Sequence, residues 1–469
     1  MSEDTETSAS AVDYKGLLIF LTIALMTVLA MLVAGKDNTN LVALIGGAAV
    51  ISIVIWQACD PFAEAAQWIG KRFHVPGSVR GATLDAVASS MPELYSGIFF
   101  VIVAFQYMNS GGPDTDPLAL ETAEAMGAEG FGSAVATCAG SAIYNMILIP
   151  ACVALVVAMR RKDNPIVKIE KEVVQRDGMW FLVCELVVVF FLFQEAMYPW
   201  MALVLMGMYA LYVGQLWLHA RRHRKALLQE RKDINLEEGI EGDEEFDYSV
   251  EGESSTKAVF GIFTLPITGV TAWLIILGST VVAAIACYFL VDVTHATAHE
   301  LNVPTFFVAL VLAAAVSSVP DTFLSIGAGL RGDDSGAVSN AFGSNIFDIC
   351  ICLSVPLLVN SWLTGWGPVH MTQNGEPMEG IVQLRILLLV LSAITVAIIW
   401  YKFQLGKVKA FILIGLYLVY LVFAVLGSLG ILSPDKAEEG ESSNPEATMK
   451  PVEQLGLMDP DIRRQELWG

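Results

Sequence analysis

Apolar stretches of about 18 residues or more recur along most of this chain, and each reads most simply as a helix crossing a membrane. Eleven such stretches are counted, at approximately 15–35, 40–58, 77–106, 131–159, 178–196, 199–219, 265–290, 304–330, 336–362, 383–401 and 409–432. The composition agrees. Of 469 residues, 55% are hydrophobic and 16% charged, where a soluble domain carries about a quarter charged. Mean hydropathy is +0.59. The fold class expected is an all-α integral membrane protein. The leader MSEDTETSASAVDYK is acidic where a secretory signal needs lysine or arginine, so the first stretch is read as a span.

Charge sets the expected orientation. The net charge of −21 gives no reason to expect nucleic acid as a partner, and the acids gather in the solvated N-terminal arm, loops and C-terminal tail. Basic residues follow alternate spans: Lys71, Arg72 and Arg80; Arg160, Arg161, Lys162, Lys168, Lys171 and Arg176; Arg221, Arg222, Arg224 and Lys225; Arg331; and Lys402, Lys407 and Lys409. These loops share one side, assigned to the cytoplasm by their positive charge. The opposite loops are acidic or neutral; residues 107–131 hold five acids and no lysine or arginine. The N-terminus is then inside and the C-terminal tail outside, with the cell membrane as the expected location. All seven cysteines lie in apolar stretches without zinc-site spacing, and read as small core residues.

The chain repeats itself. HVPGSVRGATLDAVASSMPELYSG from His74 aligns with NVPTFFVALVLAAAVSSVPDTFLS from Asn302, setting Ser89–Ser90 on Ser317–Ser318, Pro92 on Pro320 and Glu93 on Asp321. Downstream, GSAIYN (Gly140 to Asn145) aligns with GSNIFD (Gly343 to Asp348). The first offset is 228 residues (321 less 93) and the second 203 (348 less 145). The difference of 25 is read as an insertion in the acidic outer loop before Phe131, where added length costs little. By the alternation of sides, the two copies are of opposite polarity. Inverted repeats are characteristic of secondary transporters, which bind near mid-membrane between the halves.

Glu93 and Asp321 lie about midway along their spans, each after a proline and two serines. A carboxylate there costs at least ~2.5–3.5 kcal/mol to insert, so it is a candidate functional residue. Proline frees carbonyls of the preceding turn, and those of Ala86 and Ala314 are expected to face a cavity. The convergent groups are Glu93, Asp321, Asp348 and Asn145, with the hydroxyls of Ser89, Ser90, Ser141, Ser317, Ser318 and Ser344. All are hard oxygen donors, suited to calcium, which takes six to eight of them. Asp85 is read either as lining the inner vestibule or as pairing with a basic group. Asp292, His295, His299 and Glu300 share helical spacing, but their place at an outer helix end favours interfacial decoration. The acidic run 237–253 lacks the pattern of an EF-hand.

These segments, GATLDAVASSMPE, GSAIYN, SSVPD and GSNIFD, resemble the alpha-repeats of the calcium/cation antiporter superfamily, and within it the sodium/calcium exchangers, the potassium-dependent type included. The resemblance covers both repeats and, more loosely, about ten spans. It implies a ten-helix inverted-repeat (5+5) core, with one extra N-terminal transmembrane helix in this chain. It also implies cation ligands at Glu93, Asn145, Asp321 and Asp348 and ligand hydroxyls at the six serines. The implied organisation is a cytoplasmic arm at 1–14, the extra helix at 15–35, a first half at 36–219, a cytoplasmic loop at 220–258, a second half at 259–432 and an extracytoplasmic tail at 433–469. Asp321 and Asp348 are similar to the animal exchangers, and an aspartate at the latter position accompanies potassium dependence there. The absence of a G-N-x-x-E element favours sodium over protons.

The expected activity is therefore exchange of Ca2+ for Na+ by alternating access, without a resident cofactor or a catalytic step. Coupling to H+ or K+ is the alternative within the class. An intramembrane aspartyl protease built on Asp321 and Asp348 would need Gly-x-Gly-Asp and Tyr-Asp elements that are absent. A channel would want a re-entrant filter loop, of which the sequence gives no sign. Stoichiometry and oligomeric state are left open by the sequence.

Overall fold

The computed structural model describes residues 22, 25–28, 39–72, 81–109, 117–162, 164–238, 255–258, 263–373, 376–377 and 380–431. Its helices are α1 Thr39–Arg72, α2 Ala86–Asn109, α3 Pro117–Ile143, α4 Ile149–Arg160, α5 Lys171–Leu192 and α6 Pro199–Glu238. The second half has α7 Gly269–Leu301, α8 Thr305–Ser317, α9 Val319–Leu330, α10 Asp334–Phe347, α11 Ser354–Leu363, α12 Ile381–Trp400 and α13 Lys407–Ser428. Among the described residues, eight helical segments are long and apolar enough to cross a membrane, or nine if the bent pair α8–α9 is one span. Helix α5 falls outside that number because Arg176, Asp177 and Glu185 punctuate it, yet it runs for 22 residues. Most of the expected span at 15–35 lies outside the described residues, as do the arm and the tail.

Sidedness is inverted relative to a water-soluble protein. Outer faces carry apolar groups such as Trp273, Leu277 and Phe411, each at least 60% exposed, while serines, threonines and carboxylates are buried in the interior among apolar side chains. That distribution suits a surround of lipid tails, where an apolar surface is at no disadvantage. The chain is a multi-pass membrane protein.

Three expectations about length need correction. The stretch expected as an outer loop at 107–131 is helical from Pro117, so α3 has 27 residues where its counterpart α10 has 14. Much of the 25-residue difference is thus extra helix. The loop expected at 220–258 begins as a continuation of α6 to Glu238, and closes with a hairpin pairing Ser255–Ala258 with Phe263–Pro266. Helix α1 continues through Pro61 to Arg72, well beyond its expected end.

The two halves meet in the loops as well as in the core. Val167–Lys168 pairs with Gln404–Leu405, and Ala196–Met197 with Val369–His370. Arg161 is bidentate to Asp334 at 2.8 and 3.1 Å, and Asp334 also accepts the Lys168 backbone N–H. The loops after α4, α9 and α12 therefore gather at one end, which is the grouping that the basic residues indicated.

Among the described residues, four turns of π-helix interrupt the spans, at Gly81–Asp85, Tyr144–Leu148, Ala309–Ala313 and Asp348–Cys352. The first and third stand 228 residues apart, the offset that relates Glu93 to Asp321. The second and fourth stand 204 apart, one residue from the offset relating Asn145 to Asp348. Such bulges are rare and concentrate at functional sites. The duplication thus extends to backbone irregularities.

Candidate cation site

The prolines act differently in the two repeats. Helix α2 passes through Pro92 without a break. The second copy bends by 40° between α8 and α9, at Ser318, whose φ and ψ are −86° and 1°. Asp321 consequently sits in the first turn of a short helix, where the N-terminal dipole favours negative charge. Pro320 cannot donate to the carbonyl four residues back, that of Val316, and Ser52 on α1 donates to it instead at 3.1 Å. The Ala86 carbonyl accepts from Ser89 Oγ at 3.2 Å and that of Ala314 from Ser317 Oγ at 3.1 Å.

Side chains from both halves converge. All ten candidate residues are fully buried, at 0% exposure. Ser141 Oγ lies 3.1 Å from Glu93 Oε1 and 3.0 Å from Asp348 Oδ2, as a donor to either. It accepts from Ser318 Oγ at 2.9 Å and from Asn145 Nδ2 at 3.3 Å. Ser318 Oγ is also within 3.2 Å of Glu93 Oε1. A second knot surrounds Asp321: Ser344 Oγ donates to its Oδ1 at 2.7 Å, and Ser344 and Ser89 hydroxyls pair at 3.2 Å. Ser317 faces Glu93, Ser90 faces Asp348, and Asn145 faces Asp321. The two knots are continuous, since Ser318 and Asp321 belong to adjoining turns at one bend.

What the cluster lacks is donors. Glu93 Oε2, Asn145 Oδ1, Asp321 Oδ2 and Asp348 Oδ1 are buried acceptor oxygens with no hydrogen-bond partner. Leaving one such group unsatisfied costs about 1–3 kcal/mol, more when charged. These four, on four of the ten candidates, are hard oxygens of the kind that a cation such as calcium takes as ligands. The carboxylates do not form a compact metal centre of their own: among the described residues no three Asp, Glu, His or Cys side chains group closely enough to hold a metal. Hydroxyls and an amide separate the acids, so any ion held here is shared among mixed oxygens.

Close backbone approach completes the geometry. A Cβ added to Gly140 would fall 2.0 Å from the Leu310 carbonyl oxygen and 2.7 Å from Ala314 Cβ. Glycine here lets α3 touch the opposing π-turn, carrying Ser141 into the cluster. Tyr420 donates to the same Leu310 carbonyl at 2.8 Å.

Sequence reasoning overlooked Asn340 and Ser325. Asn340 Nδ2 donates to Asp321 Oδ1 at 3.3 Å and to Ser325 Oγ at 3.2 Å. A signal existed, because the 203-residue offset sets Asn340 opposite Thr137, a second buried polar residue. Asn345, inside the GSNIFD segment, ties the repeats together by donating to the Ala142 carbonyl at 3.2 Å. Asp85 is partly buried in the first π-turn, and its carbonyl accepts from Ser89. His295 packs edge-on against Phe100, while Asp292, His299 and Glu300 are exposed, so these four make no metal group.

Comparison with known proteins gives a consistent picture. The family described as sodium/calcium exchanger protein matches residues 43–218 and 271–426. Sodium/potassium/calcium exchanger 2 of Mus musculus is 31% identical over 149 residues, 32% of this chain and 22% of that protein. Sodium/potassium/calcium exchanger 1 of Homo sapiens is 32% identical over 150 residues, 32% of this chain and 13% of that protein. The match thus spans less than a quarter of these relatives' length. Among solved structures, that of the H+/Ca2+ exchanger CAX superposes with a TM-score of 0.51 at 15% identity, covering 91% of this chain and 96% of that one. This likeness concerns the fold.

Proposed function

This chain belongs to the sodium/calcium exchanger protein family, and on that premise we propose that it is a secondary antiporter exchanging Ca2+ for Na+ by alternating access. The carrying observation is the set of four acceptor oxygens without partners, buried where the two halves meet. The proposed ligands are Glu93, Asn145, Asp321 and Asp348, with Ser89, Ser90, Ser141, Ser317, Ser318 and Ser344. An empty cluster of ionised acids is too costly to seal from water, whereas one neutralised by a calcium ion or several sodium ions can be occluded. Because the same oxygens serve both ions, occupancy is competitive. Exchange then needs no chemical step. Any net charge carried would couple transport to voltage at roughly 2.3 kcal/mol per 100 mV.

In this reading the basic loops face the cytoplasm, the N-terminus is inside and the C-terminal tail outside, in the cell membrane. Residues 36–219 and 259–432 are the two transport halves, and the extra helix at 15–35 takes no part in ion binding. A K+-linked exchange is the second reading, favoured by Asp348 and by the names of the relatives. The test is calcium uptake into proteoliposomes under an imposed sodium, proton or potassium gradient, one at a time. Uptake driven by internal sodium supports the proposal. Uptake driven only by protons, or needing no counter-ion, refutes it.

A further inference from the structure

A second buried carboxyl group stands apart from the cation cluster. Glu185, near the middle of α5, is 0% exposed. Ser392 on α12 donates to its Oε1 at 2.6 Å, while Oε2 has no partner. Thr395, one turn beyond Ser392, is equally buried, and its hydroxyl also lacks a partner. The two helices run antiparallel here, since Gly178 lies against Val396 and Phe193 beside Arg385.

The charged and titratable neighbours do not neutralise Glu185. Arg385 on α12 is two turns from Ser392, about 10 Å along the axis, and its guanidinium lies over the Phe193 ring at 4.9 Å. Arg176 and Asp177, two turns back on α5, pair with each other at 2.6 Å, and Ser339 of α10 binds Asp177. From α6, Tyr212 and Tyr209 stack near Trp180. From the π-turn Asp348–Cys352, Cys350 meets Cys184, the neighbour of Glu185. Among the described residues no basic group is ion-paired with Glu185. An ionised carboxylate so placed would be a buried, uncompensated charge, the costliest state for such a group. A metal ion is a poor alternative, because one carboxyl and two hydroxyls fall well short of a coordination shell.

We propose that Glu185 is a proton-binding site between α5 and α12, distinct from the cation cluster, and that its proton keeps this helix seam closed. The neutral acid has one oxygen to accept from Ser392 and one O–H to offer to the seam. Loss of the proton leaves a bare charge that only water can relieve, so the seam must open to admit it. Through the Cys184–Cys350 contact, opening would disturb the turn bearing Asp348.

The test is infrared difference spectroscopy on the full chain in lipid, stepped from neutral to alkaline pH. The carbonyl stretch of a protonated carboxylic acid is expected in wild type at neutral pH, disappearing on alkalinisation, and absent from Glu185→Gln. A carboxylate band at neutral pH in the wild-type-minus-variant spectrum overturns the proposal. Ser392→Ala keeps the acid and should move its carbonyl band to higher frequency; an unmoved band overturns it too. In flux measurements, wild type should decline at alkaline pH, and Glu185→Gln should match it at neutral pH without that decline. A changed sodium dependence at neutral pH would mean a metal-cation site instead, also overturning the proposal. The spectra read Glu185 whether or not the chain exchanges calcium for sodium.

Discussion

Ser141 joins the two repeats through one hydroxyl, and replacing it with alanine tests how the cluster is held. Its oxygen lies 3.1 Å from Glu93 and 3.0 Å from Asp348, but a hydroxyl has a single proton and serves one carboxylate at a time. The same oxygen accepts from Ser318 and Asn145. Ser141→Ala therefore removes one hydrogen bond to a charged acceptor, worth about 1.5–3 kcal/mol. At 1.4 kcal/mol per decade, calcium affinity should fall about 10- to 150-fold. The assay is calcium titration of the purified protein by calorimetry, with sodium-driven uptake in parallel. Combining the change with Ser318→Ala gives a double-mutant cycle, expected to show coupling of about 0.5–3 kcal/mol because the hydroxyls touch. Calcium affinity within about twofold of wild type, or additive effects of the two changes, would show that these hydroxyls do not organise the acids.

Glu93→Gln or Asp321→Asn should abolish sodium-driven calcium uptake in vesicles while the protein still inserts; wild-type-like flux in either would defeat the ligand assignment. Gly140→Ala forces a methyl group against the Leu310 carbonyl. It should destabilise the folded protein by about 1–3 kcal/mol or more, seen as a lower melting temperature in detergent. Asp334→Ala removes both Arg161 bonds and the Lys168 N–H bond. Partial exposure screens the pair, so a stability loss of about 1 kcal/mol is expected, with faster amide exchange over residues 161–170.

The chemistry was legible in the sequence because both copies write it in the same order. Serine pair, proline and acid, then Gly-Ser and a polar residue, sufficed to nominate ten side chains, and all ten are buried together. Backbone geometry was not legible. Pro92 and Pro320 occupy matching positions behind matching π-turns, yet one helix is continuous through its proline and the other breaks at Ser318. No residue pattern announces a π-turn, since only one hydrogen bond changes its span. Asn340 and Ser325 went unnoticed because they reach Asp321 only once α9 and α10 are folded side by side. Glu185 carried no repeated motif and was hidden in a span identified by hydropathy alone.

The four π-turns make single residues matter more than long segments do. The halves differ by 25 residues in one stretch and still superimpose their chemistry around a common centre. A π-turn holds one residue more than the α-helical turn it replaces, so deleting one residue from Asp348–Cys352 would close the bulge at the residue bearing a cluster carboxyl group. Indels should therefore be absent from these turns in functional descendants of this chain, however freely its loops drift.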